Sequence, residues 1–112
     1  MSEPDPSETI LVLVTYPEDG TPPADAFAER LVDRQRAACV NVLPDMDSYF
    51  HWDGDLEHAE EVLLIAKTSR DTYPELEEMV IQEHPYDEPE VIGISLSEGS
   101  SAYLEWVQDA LA

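Results

Sequence analysis

Asp53-Gly54 sits between two extended runs that together reach from Ala38 to Thr68. Asp-Gly between β-rich runs marks a tight hairpin, because both turn positions need positive φ and these residue types adopt it at low cost. Each arm comes to about 14 residues, against roughly 5–6 for an ordinary strand. The chain has 112 residues, the length of one domain. A body of that size cannot cover such arms. They should project, and their edges should pair with another copy of the chain. The tight turn also sets a register: Trp52 opposite Asp55, His51 opposite Leu56, and Tyr49 opposite His58.

The remaining elements follow from periodicity. Residues 1–8 are polar, acidic and Pro-containing, which predicts a disordered tail ahead of a single domain over 9–112. Thr9 to Tyr16 is a continuous β-branched and apolar run, suited to a central strand. After the turn Pro17-Glu18-Asp19-Gly20, a helix is expected from Thr21 or Pro22 to near Arg36, with Phe27, Leu31 and Gln35 along one side. Pro44 marks a break or bulge in the first arm. Tyr73, Leu76, Met79 and Val80 recur at helical spacing, and Pro85 stops that helix. A strand over Val91 to Leu96 and a helix from about Ser101 complete the chain.

The order β-α-β-β-α-β-α contains the split βαβ pattern of the ferredoxin-like α+β fold. That fold is an antiparallel sheet with helices on one face, here with a long protruding β-hairpin and a C-terminal helix added. The other sheet face would carry the apolar alternates of four strands into water unless a second copy covered it. This is a separate argument for an oligomer.

Composition narrows the partners. Five Lys+Arg stand against 26 Asp+Glu, a formal net charge of −21. Such a surface repels nucleic acid and anionic membranes, so neither is an expected partner. Like charge at this density destabilises a compact state, and molar salt relieves it by shortening the Debye length to roughly 3 Å. The balance resembles that of proteins from extreme halophiles. Cys39 is the single cysteine, so no intrachain disulfide and no multi-Cys zinc framework can form. Residues 1–8 do not read as a signal peptide and no apolar run approaches a membrane span, which makes the cytoplasm the expected compartment.

Several short motifs occur in one order at one spacing. They are Arg36-Ala37-Ala38-Cys39-Val40-Asn41, Pro44, Ser48-Tyr49, Trp52-Asp53-Gly54, Lys67-Thr68, His84-Pro85-Tyr86, Pro89, and Tyr103-Leu104 followed by Trp106. In combination they resemble the CutA family, the divalent-cation tolerance proteins, over about Thr9 to Leu111. The resemblance implies a ferredoxin-like fold and a homotrimer in which the long hairpins interlock about a three-fold axis. It also implies an association with metal tolerance and copper binding. Copper ligands proposed in some members are a cysteine in the first strand and two consecutive histidines before Pro-Tyr. By position these fall on Val14, Glu83 and His84. Val14 cannot ligate and Glu83 is a hard oxygen donor. The metal residues carried over are therefore His84 and Glu83, suited to weak Cu(II) or Zn(II) binding rather than to Cu(I).

Each candidate has a plainer alternative. His84, ahead of Asp87, Glu88 and Glu90, could hold a divalent cation, or simply close a Pro-bounded helix end. Cys39 reads as a small apolar strand residue rather than a reactive thiol. His51 and His58 share a hairpin face and would need a third ligand from a neighbouring subunit. Tyr49, Phe50 and Trp52 near the hairpin tip read as intersubunit packing, and Tyr103 and Trp106 as packing on the last helix. No Ser-His-Asp spacing, HExxH or phosphate-binding glycine loop is present, and the acidic Pro17 to Gly20 loop lacks the arginine that acylphosphatases of this fold require, so no catalytic residue is assigned. Two rivals to cation tolerance remain: a PII-like small-ligand signalling trimer, with Lys67 and Arg70 as phosphate contacts, and a trimeric scaffold without specific metal binding.

Overall fold

The computed structural model describes residues 3–112. Its elements are β1 (Thr9–Pro17), α1 (Ala24–Asp33), β2 (Cys39–Trp52), β3 (Asp55–Ser69), α2 (Tyr73–Glu83), β4 (Val91–Ser95) and α3 (Ser101–Leu111). The strands form one antiparallel sheet in the order β2-β3-β1-β4. This is the ferredoxin-like arrangement.

Strand alternation divides the molecule. Ile10, Val12, Val14 and Tyr16 of β1 and Val62, Leu64 and Ala66 of β3 point to the face covered by α1 and α2. There Phe27, Leu31, Leu76 and Val80 are fully buried against them. Leu11 and Leu13 alternate with those residues and lie on the opposite face, beside Ile92 and Ile94 of β4, which are 49% and 45% exposed. That face is bare only in part. Leu104 and Val107 of α3 are buried outside the main core, and Gln108 Nε2 donates to Thr9 Oγ1 at 3.2 Å, so α3 covers one end of it.

The hairpin reverses where the Asp-Gly pair predicts. Asp53 and Gly54 take φ of 51° and 84°, and β2 and β3 run 14 and 15 residues. The pairings Trp52–Asp55, His51–Leu56 and Tyr49–His58 are all present. Pro44 coincides with a bulge, where the register shifts between Leu43 and Met46 and Asp45 takes φ 61°. β1 accompanies β3 only as far as the Pro17–Glu61 pair. Beyond it the hairpin stands alone, with Tyr49 71% and Leu56 72% exposed. The molecule is 53 Å long and 26 Å wide. Its radius of gyration is 14.9 Å, against about 13 Å for a compact domain of this length.

Several expectations are corrected. Part of the predicted tail is ordered: Pro6–Glu8 is a 3₁₀ turn capped by Asp5, and Arg70 binds the Ser7 and Glu8 carbonyls, while Met1 and Ser2 lie outside the described residues. α1 begins at Ala24 rather than at Thr21 or Pro22, with Pro23 at its N-cap. Gln35 is not on its apolar side. It lies past the helix end at φ 55°, in the left-handed turn that lets the Arg36 and Ala37 N–H groups donate back to Leu31. Tyr103 and Trp106, expected as packing residues, stack on each other at 5.7 Å and are 42% and 49% exposed in the single chain.

Candidate functional site

Pro85 forces the end of α2, and His84 leaves the helix with extended backbone (φ −70°, ψ 143°). The imidazole therefore turns back into the core, where it is 7% exposed. It packs against Tyr16 at 4.9 Å, Tyr86 at 5.0 Å and Phe27 at 6.4 Å, measured between ring centroids. β4 pairs with β1 only as far as Val14, so the Thr15 carbonyl falls just beyond that ladder. His84 Nε2 donates to it at 2.7 Å, and Nδ1 accepts from the Tyr86 backbone N–H at 3.0 Å. The two bonds fix the neutral Nε2–H tautomer. Burial holds the His84 pKa below 6.5, only partly offset by the Thr15 carbonyl and by the charge of Glu61.

Glu83 faces the other way. Its Oε1 accepts from Arg30 Nη1 at 2.8 Å and its Oε2 from Arg34 Nη1 at 2.7 Å. Val14 is fully buried in the core. The three positions that the resemblance singled out thus hold one apolar side chain, one carboxylate committed to two arginines, and one imidazole whose nitrogens both serve backbone. As folded, these residues do not fit a copper ion.

The other candidates lie apart from His84. His58 Nε2 meets Asp47 Oδ1 at 2.8 Å, and its ring stacks on Tyr49 at 4.7 Å. His51 is exposed opposite Leu56. Cys39 is half-buried rather than in the core, with Lys67 Nζ 3.9 Å from its Sγ and also bonded to Asn41. Arg70 bonds the Ser7 carbonyl and Ser95. Among the described residues, no group of three or more His, Cys, Asp or Glu side chains could hold a metal ion.

What sequence reasoning missed is a groove of about 840 Å³ between the root of the projecting hairpin and the 85–90 connector. Glu57 and Glu61 line one side, and Asp87, Glu88 and Glu90 the other, with Trp52 at the hairpin end. Lys67 and Arg70 do not line it. Glu61 is only 5% exposed and accepts from the Tyr86 hydroxyl at 3.0 Å. Burial, and then this bond and the Glu61 charge, push Tyr86 up to about 12. Burial, and then the same charge, raise Glu90. The one signal in the sequence was a charged residue, Glu61, at the start of the apolar run Val62 to Ala66.

Comparison with known proteins gives a consistent picture. The family described as CutA1 divalent ion tolerance protein matches residues 10–110. The divalent-cation tolerance protein CutA of Thermus thermophilus is 36% identical over 99 residues, covering 88% of this chain and 94% of that protein. The CutA homolog of Xenopus laevis is 44% identical over 96 residues, covering 86% of this chain and 62% of its own length. The chain thus spans nearly all of the bacterial relative and less than two thirds of the animal one. Among solved structures, CutA from Xylella fastidiosa superposes with a TM-score of 0.88 at 31% identity, covering 95% of this chain and 100% of that one. CutA1 from Oryza sativa gives 0.86 at 35% identity, covering 93% and 94%.

Proposed function

This chain belongs to the CutA1 divalent ion tolerance family, and on that premise we propose that it serves divalent-cation tolerance as a homotrimer fastened through its long hairpin. The observation that carries the assembly is the unsupported stretch beyond the Pro17–Glu61 pair. There a two-stranded ribbon holds Tyr49, Phe50, Trp52 and Leu56 in solvent at 40–72% exposure. An isolated ribbon is marginal in water, and exposed aromatic residues of this kind form interface cores. The half-open sheet face with Ile92 and Ile94 gives a second apolar surface for the same purpose.

Cation binding, copper included, is weak in this reading. Cu(II) or Zn(II) at His84 would have to displace the Tyr86 N–H from Nδ1, and Glu83 would have to leave two arginines. No enzymatic step is assigned, and none of the relatives' names carries an activity. The cytoplasm is the proposed compartment, on composition alone. Among the described residues no helix is long and apolar enough to cross a membrane.

Light scattering in molar salt tests the assembly. Three chain masses are expected, and single chains once residues 48–59 are replaced by a short turn. A shortened variant that stayed trimeric would show that the hairpin is not the fastening. Calorimetric titration with Cu(II) and Zn(II) tests the metal. Only weak, unsaturated uptake is expected, unchanged in His84→Gln, and saturable binding that this variant abolishes would show that the two His84 hydrogen bonds give way to a metal.

A further inference from the structure

Lys67 is the only lysine of the chain. It is half-buried on the sheet face opposite α1 and α2, and the strand register defines its surroundings. One row across the four strands reads Cys39, Lys67, Leu11, Ile94. The next row sets Ile65, Leu13 and Ile92 beside Asn41. An ammonium group thus stands within a largely aliphatic surface. Its polar contacts are the Asn41 side-chain oxygen and, at 3.9 Å, Cys39 Sγ, and neither is a carboxylate. None of the ion pairs among the described residues includes it, although the chain has 26 acidic side chains. Arg30, Arg34 and Arg36, by contrast, each meet a carboxylate.

The pairing argued next rests on the trimer reading, in which a second copy covers this face. Burial of the aliphatic rows favours that cover. A cation taken from water without a counter-charge opposes it. The second copy has what Lys67 lacks. Its hairpin carries Asp45, Asp53, Asp55, Glu57 and Glu60, and no Lys or Arg occurs between Ala37 and Ala66. The stretch from Asp55 to Glu60, beyond the reach of β1, spans about 20 Å at the usual strand rise. The outer strands of a four-stranded sheet lie roughly 14 Å apart, so a neighbour's hairpin laid over the face can cross it. We propose that a hairpin carboxylate of a second copy pairs with Lys67, and that this interchain ion pair lets the apolar sheet face close.

A single lysine makes the pairing directly readable. Light and ¹⁵N-labelled full chains are unfolded, mixed and refolded. They are held at the lowest salt at which light scattering shows three chain masses. A water-soluble carbodiimide then joins amines to carboxylates in contact, and mass spectrometry reads the peptides bonded to Lys67. Bonds from Lys67 to acidic residues of 45–60 in chains of the other isotope are expected. Lys67→Glu, confirmed as folded by circular dichroism, is expected to dissociate at a concentration at least tenfold higher. Exchanging the cross-linked acid for lysine in that variant is expected to restore the parent value. The pairing is overturned if Lys67 joins only its own isotope, joins acids outside 45–60, or forms no bond. It is equally overturned by unchanged dissociation in Lys67→Glu, or by a charge exchange that restores nothing. A parent that scatters as single chains sinks the trimer reading and the pairing together, whereas a trimeric parent with any of those results sinks the pairing alone.

Discussion

The two ends of β3 live in different environments. From Val62 to Ser69 the strand is flanked by β1 and β2 and packed under helices, and most of its side chains are buried or half-buried. From Asp55 to Glu60 it has β2 alone beside it and is almost wholly exposed. The helix-covered end closes its own polar atoms, His84 being the clearest case. The hairpin end holds Tyr49, Trp52 and Leu56 largely in solvent, with Asp47 paired to His58 and Glu61 bonded by Tyr86. In the proposed assembly the open end is the surface that another copy would cover.

Substitutions at the two ends should separate accordingly. Phe27→Ala removes a fully buried ring stacked 5.3 Å from Tyr16, and should cost about 3–5 kcal/mol in urea unfolding. Trp52→Ala should instead make the assembly dissociate at higher concentration; an equally large loss of intrinsic fold stability there would break the contrast. Tyr86→Phe removes the donor to Glu61 and should cost about 1–3 kcal/mol, read from the denaturant midpoint.

His84 supplies a pH test. Its folded pKa lies below 6.5, so between the folded value and 6.5 the unfolded chain takes a proton that the native chain refuses. Stability from this group is therefore fully present above 6.5 and is lost as pH falls through that window. Unfolding midpoints measured from about pH 7 down to about pH 5 should decline, and His84→Gln should flatten that part of the decline. The smallest effect is expected at Arg34→Ala. Arg34 is 48% exposed and Glu83 keeps Arg30, so the loss should stay below about 1 kcal/mol by thermal unfolding.

Most of the architecture was legible because its signals are local. Asp53-Gly54 demands a turn with positive φ at both positions, and alternation then carries the pairing outward residue by residue. Pro85 ends α2 by clashing with the residue before it. Gln35 was misread because helical spacing continues past Asp33 in the sequence, while the chain itself turns left-handed. The site was less legible. His84 beside Glu83 looks like a ligand pair, yet their partners lie 69 residues away at Thr15 and 53 and 49 residues away at Arg30 and Arg34. No spacing rule reaches that far.

By itself the sequence determined the order of elements, the hairpin and its register, the family, and the acidic coat, since each depends on steric preferences within a few residues or on summed charge. Tertiary structure alone decided that α3 lies on the sheet face opposite α1 and α2, that both nitrogens of His84 are occupied, and that Glu61 sits buried beneath Tyr86 in a groove. Hydrogen bonds and burial are settled by which distant groups arrive together, and that is a property of the packed chain.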